Sequence, residues 1–200
     1  MSGLARGGVC VLVLVWALHA GISAAPAPTR ELAAACARKI DAISKGSQSG
    51  SAPRRTTISE AELNAWLVFT GAERLPVGVS EPSVSLLGEG RASGRAVVDL
   101  DLMGRKKGSG GLLDPWSYLG GRVPVLATGA LHTEAGVGRF VLESAQVSGI
   151  PVPKWLLQEL VSFYARSPSR PRGVSIDDPF PLPVGIDRLE VGPSQAVVVQ

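Results

Sequence analysis

A long stretch of this chain alternates strictly between apolar and polar residues, and that leaves few folds open. In residues 91–102, Ala92, Gly94, Ala96, Val98, Leu100 and Leu102 fall on one side, and Arg91, Ser93, Arg95, Val97, Asp99 and Asp101 on the other. A period of two with one wet side belongs to a strand of an antiparallel sheet. The pattern returns in Arg122–Glu134, where Val123, Val125, Ala127, Gly129 and Leu131 share a face. It returns again in Arg139–Ser148, where Val141, Glu143, Ala145 and Val147 oppose Phe140, Leu142, Ser144 and Gln146. Val84 and Leu86 lead into the first of these strands. Gly88-Glu89-Gly90 and Gly136-Val137-Gly138 supply the turns of a meander.

The flanking segments fit around that sheet. Gly149-Ile150-Pro151-Val152-Pro153 ends it, and a helix is predicted over Pro153–Arg166. Trp155, Leu156, Leu157, Leu160, Val161, Phe163 and Tyr164 cover more than one side of that helix, so it is buried on two sides or faces a ligand. A Pro-rich hinge at 177–183 leads to a last hairpin, Ile186–Val191 and Ala196–Val199, joined through Gly192-Pro193-Ser194. Upstream, Thr29 can cap a helix over Arg30–Ser44 with Leu32, Cys36, Ile40 and Ile43 on one stripe, and the Gly/Ser-rich 45–53 reads as a flexible linker. Ser59-Glu60-Ala61-Glu62 fits a capping box with Ile58 and Leu63 as its staple, Arg54–Ile58 a short edge strand before it, and Gly71 the end of that helix. Leu112–Leu119 is expected to form a short helix or loop. The expected fold is α+β: a curved antiparallel β-meander with two to three helices packed on one face.

The first residues point to export. Arg6 precedes the apolar run Val9–Leu18, and small residues follow up to Ala25, ahead of Pro26 and Pro28. That order suits a signal peptide over 1–25, cut near Ala24–Ala27. The run is shorter than the ~20 residues a membrane span needs, so a cleaved leader and a periplasmic location are expected over an anchor. Residues 26–53 then hold the first helix and its linker, and 54–200 a single domain. Ala33-Ala34-Ala35-Cys36 has the small residues of an acylation site, but Arg30 and Glu31 separate it from the apolar run. Once Cys10 is lost, Cys36 is a lone thiol, expected to be inert on a helix.

The inventory argues against catalysis. His132 is the only histidine past the leader, which leaves no zinc site of paired histidines or cysteines, and no cofactor or metal is expected. There is no nucleophile elbow, P-loop or dinucleotide fingerprint. His132, mid-strand among Thr128, Ala130 and Glu134, fits a half-exposed strand residue better than a triad member. Asp99 and Asp101 would share a strand face with Arg91 and Arg95 as charge-paired, solvated groups. Asp177-Asp178 precede a proline and would turn or cap the chain. Export and the lack of a recognition motif exclude nucleic acid.

The suggestive pattern is apolar. Faces built as Ala92/Gly94/Ala96/Val98 and Val123/Val125/Ala127/Gly129 leave space, to be filled by the chain's own helix or by an acyl chain. The helix with Glu62-Leu63-Asn64-Ala65-Trp66-Leu67, the meander, Gly149–Pro153 before an apolar helix, and Pro181-Leu182-Pro183-Val184-Gly185-Ile186 before a last hairpin resemble small bacterial envelope proteins. These are related to periplasmic phospholipid-binding domains of the half-tube TULIP type. The resemblance covers about Ile58–Gln200 and implies a curved sheet around a helix, with a groove for lipid tails and no catalytic residues to carry over. Few bulky aromatics line the sheet, a departure that bears on the groove's size. The groove candidates are Val98, Leu100, Val125, Leu131, Trp155, Leu156, Leu160 and Phe163. Arg105, Lys106, Lys107, Arg170 and Arg172 would meet head groups of phospholipid or of a membrane surface. The alternative is a periplasmic scaffold without a ligand cavity, docking a protein partner through a sheet edge or the Pro-rich 177–183.

Overall fold

The computed structural model describes residues 27–46, 54–105, 121–164, 171 and 173–200, with side chains at all of these except 103–105, 160, 163 and 164. In chain order the elements are α1 (Arg30–Gly46), β1 (Arg55–Ser59), α2 (Glu60–Trp66), β2 (Val79–Gly88), β3 (Arg91–Asp99), α3 (Leu100–Arg105) and β4 (Arg122–Glu134). They continue with β5 (Val137–Val147), β6 (Ile150–Pro151), α4 (Lys154–Tyr164), β7 (Phe180–Pro181), β8 (Arg188–Gly192) and β9 (Gln195–Val199). The class is α+β with an antiparallel meander, as expected. The strands divide into two sheets. β2 to β6 lie side by side in chain order, with β7 added to β5, and β1, β9 and β8 form a smaller sheet in that order.

The small sheet carries the best-packed core. Cys36 and Ile43 of α1 meet Ile58 of β1 and Val198 of β9, with Ile40, Leu63, Trp66, Ile186 and Leu189 around them. α1 therefore belongs to the same core as the domain that follows it. Its start is set by Thr29, whose hydroxyl accepts the Leu32 N–H at 3.3 Å. The capping box at α2 forms as predicted: the Ser59 hydroxyl accepts from the Glu62 N–H, and the Glu62 carboxylate accepts from the Ser59 N–H. Ile58 and Leu63, its staple pair, both reach the core. Gly71 does not end this helix. Winding continues through a π turn at Leu67–Gly71 and a 3-10 turn at Ala72–Arg74, because Gly71 keeps a right-handed backbone (φ −76°) and does not take the left-handed cap conformation.

Three two-residue turns shape the large sheet. Glu89-Gly90, Ala135-Gly136 and Ser148-Gly149 all have positive φ at both positions, the signature of type I′ hairpins, whose twist suits the strands. The second turn lies one residue earlier than Gly136-Val137-Gly138, and Val137 and Gly138 begin β5. β3 stops at Asp99, three residues short of the alternation in the sequence. The reason is local: the Asp99 carboxylate accepts the Leu102 N–H at 3.0 Å and caps α3. Leu100 and Asp101 are thus helical and off the strand face.

β8 joins the two sheets by crossing the hairpin tips. Gly90 N–H donates to the Val191 carbonyl, Gly136 N–H to that of Asp187, and the Thr133 hydroxyl both donates to and accepts from the Leu189 backbone at 2.8 Å.

Candidate functional site

Strand register brings one continuous apolar face together. Leu86, Ala92, Gly129 and Leu142 stand abreast, then Val84, Gly94, Ala127 and Ala145, then Ala96, Val125 and Val147, then Val98 and Val123. The even-numbered Phe140 and Leu142 share this face with the odd-numbered Ala145 and Val147. One extra residue at Glu143 flips the parity, since Thr128 pairs with Ser144 and Gly129 with Leu142. The sequence alternation had placed these two pairs on opposite faces.

The face is filled at one end and open at the other. Near the hairpin tips the Phe140 ring lies over Gly129, where a Cβ would collide with it and with the Val141 carbonyl oxygen. Phe180 packs against Gly138, and Leu86, Leu142 and Leu182 are buried there. Toward the other end Ala96, Val98, Val123, Val125 and Val147 are only half-buried. A Cβ added to Gly94 would meet no described residue within 4 Å.

The predicted groove residues separate along this axis. Val98 and Val125 lie on the open half. Leu131 is six residues further along β4, about 20 Å away at strand rise, and faces the filled end opposite Phe140. Leu100 has left the face for α3. Leu156 is half-buried on α4, which packs on β5, whereas Trp155 is 68 % exposed and does not line a groove. Leu160 and Phe163 are placed on α4 by backbone alone. Arg105 ends α3, and its side chain is outside the described set. Lys106, Lys107, Arg170 and Arg172 lie outside the described residues, as does the predicted element at 112–119.

The opposite face is mixed, with Arg91, Ser93, Arg95, Thr128 and Gln146 among Val97, Pro124, Leu126, Ala130 and Val141. Arg91 forms a bidentate pair with Glu143, Nη2 donating to Oε2 at 2.9 Å and Nε to Oε1 at 3.2 Å, rather than with Asp99 or Asp101. Asp99 caps α3, and Asp101 accepts the Gly121 N–H. His132 is exposed on the wall of a cleft of about 620 Å³ between the β4–β5 tip and β8. The one hydroxyl lining that cleft is that of Thr133, already bonded both ways to Leu189. Among the described residues lining this cleft, none besides Thr133 brings a hydroxyl or thiol to His132. The cleft's Arg188 is held by Asp187 and Glu190, and Arg55 also pairs with Glu190. Among the described residues no three His, Cys, Asp or Glu side chains gather to hold a metal ion.

Cys36 is fully buried, and burial, helped by the nearby Glu62 charge and opposed by Lys39, pushes its thiol up to about 11. A thiol held protonated in this way is inert at neutral pH. Glu62 is 9 % exposed, and burial alone would raise its carboxyl. Hydrogen bonds from Lys39 at 2.7 Å and from Ser59 outweigh burial and hold it below the ordinary glutamate range.

Two polar residues with structural roles have no sequence signal beyond their helical spacing. The Asn64 amide donates to the Val84 carbonyl at 2.8 Å and accepts the Val84 N–H at 2.7 Å. Glu60 accepts the Leu86 N–H at 2.6 Å. Side chains of α2 thus pair the outer edge of β2 as a further strand would. Pro82, with no N–H to offer, and a bulge at Glu81 (φ 51°) blunt the rest of that edge.

No protein-family model matches the chain, and neither the curated proteins nor the solved structures contain a significant match.

Proposed function

We propose that this chain is a non-catalytic, exported envelope protein that binds a lipid or other amphiphile on the open half of the apolar sheet face. The observation that carries the reading is the unfilled space above Gly94, at the centre of a face made of Ala92, Ala96, Val98, Val125, Ala127 and Val147. Apolar surface left uncovered by protein gains about 25 cal/mol per Å² when an apolar ligand takes it out of water. Small side chains along the floor leave depth for an acyl chain. The Pro-rich segment favours this reading over the scaffold alternative. Pro181 and Phe180 pair with Val137 and Gly138 of the chain's own sheet, and Leu182 is buried, so these residues of the segment are already engaged within the fold. Export rests on the leader-like residues 1–25. No helix among the described residues is long and apolar enough to cross a membrane.

The test is mass spectrometry of organic extracts from protein purified without detergent from a periplasm, alongside the intact mass. Stoichiometric lipid in the wild type that is absent from Gly94→Leu, and an N-terminus near residue 25, are expected. Folded wild-type protein that yields no lipid and takes up none from phospholipid vesicles defeats the binding reading.

A further inference from the structure

The cleft between the β4–β5 tip and β8 takes no part in the function proposed above. It lies at the filled end of the sheet, and charged residues stand on its walls. Its volume of about 620 Å³ falls within the range of small-molecule sites.

The charges on the two walls are in different states. Those of β8 are spent on one another. Arg188 donates to Asp187 and to Glu190, each at 3.1 Å, and Arg55 also donates to Glu190. Two arginines and two carboxylates thus close a neutral network. On the other wall, strand register sets His132 directly opposite Arg139, and Glu134 opposite Val137. By the alternation of the pleat, His132, Glu134 and Arg139 stand on one side of the β4–β5 ribbon. Thr133, between the first two, faces the other way and is tied to Leu189. All three line the cleft and are exposed. Among the described residues, none of the three makes a hydrogen bond or ion pair through its side chain.

That leaves one positive and one negative pole side by side. Glu134 and Arg139 are diagonal neighbours on the ladder, about 7–8 Å apart, and they do not close on each other. His132, opposite Arg139, adds a ring N–H donor on the positive side. A simple anion drawn to Arg139 meets the Glu134 carboxylate, and a simple cation drawn to Glu134 meets the guanidinium. A molecule that carries both charges is attracted at both poles, through charge-assisted hydrogen bonds. Val137 and Leu189 add apolar surface to the same cleft.

We propose that this cleft binds a small zwitterion of the amino-acid type. Arg139 and His132 donate to its carboxylate, Glu134 accepts from its ammonium group, and its apolar body lies against Val137 and Leu189. A free amino acid and a short peptide share this chemistry. The site does not depend on the open half of the apolar face or on what that face binds.

NMR titration of the full chain, labelled with ¹⁵N and held at neutral pH and low salt, tests the site. L-leucine and the dipeptide leucylglycine are the two probes. At least one is expected to give saturable shifts at the amides of 131–139 and 188–191, and the tighter of the two names the source. The N-acetylated form of that probe keeps the carboxylate alone, and the amidated form keeps the ammonium alone. Each should bind at least tenfold more weakly, a comparison that needs no variant. Arg139→Gln and Glu134→Gln, both at exposed positions, should also each weaken binding at least tenfold. No saturable shift with either probe, shifts that saturate elsewhere in the chain, or a one-charge form that binds as tightly as its parent would overturn the site. So would folded variants that bind like the wild type.

Discussion

At the scale of single residues, the ionic clamp between α1 and α2 holds the clearest consequence. Lys39 reaches the Glu62 carboxylate at 2.7 Å and the Thr57 carbonyl at 2.8 Å, tying α1 to both β1 and α2. Lys39→Met leaves a mostly buried carboxylate with the Ser59 donors alone, and a loss of about 1–2 kcal/mol is expected. Because the folded state holds the Glu62 carboxyl low, the clamp's contribution is fully present above the ordinary glutamate value of about 4.3 and is lost as pH falls through the lowered folded value. The gap in Tm between wild type and Lys39→Met should therefore be widest near neutrality and close in acid below that value. A gap that is constant with pH would show that Glu62 does not titrate as part of the clamp. Half of this clamp was legible in the sequence: Ser59 and Glu62 are three residues apart, and short spacing is what a capping motif encodes. Lys39 comes from another helix, 23 residues earlier, and no local pattern connects the two.

At the scale of elements, alternation predicted which residues form strands far better than where strands end or which way their side chains point after a bulge. A carboxylate one residue after Val98 fits a wet strand position and a helix cap equally well. Tertiary context decides, and here Asp99 caps α3. The extra residue at Glu143 leaves a trace, two polar residues in succession at Glu143-Ser144, but the apolar run Phe140-Val141-Leu142 before it blurs the period, and only pairing with β4 fixes the change of parity. The two face glycines, Gly94 and Gly129, look equivalent in the sequence and are opposite in the structure. Gly129→Ala drives a methyl into the Val141 carbonyl and the Phe140 ring, so a loss of about 1–3 kcal/mol is expected. Gly94→Ala adds a methyl in open space and removes backbone freedom from the unfolded chain, so it should be neutral or stabilising by up to about 1 kcal/mol. Urea denaturation of the two variants checks this. Equal costs would mean that the face is packed uniformly and that the space over Gly94 does not exist in solution.

At the scale of the whole molecule, the buried core and the open apolar surface fall in different parts of the fold. The small sheet with α1 and α2 holds the buried core, while the large sheet presents an apolar surface that its own side chains fill only near the hairpin tips. A protein built this way should be marginal on its large sheet when empty and gain stability from whatever covers it. Ligand present at a hundredfold excess over its Kd adds about 2.7 kcal/mol, provided it binds the folded state alone. For a chain of this size each kcal/mol raises Tm by about 2–4 °C, so submicellar lyso-phosphatidylglycerol at saturation should raise Tm by about 5–10 °C. Gly94→Leu supplies its own apolar side chain to the same space. It should start from a higher Tm than wild type and respond little to the lipid, because the surface the lipid would cover is already covered. The pair of shifts separates occupancy of this face from binding elsewhere. If Gly94→Leu folds and still gains as much as wild type, the amphiphile sits on another surface, and the open half of the sheet is not its site.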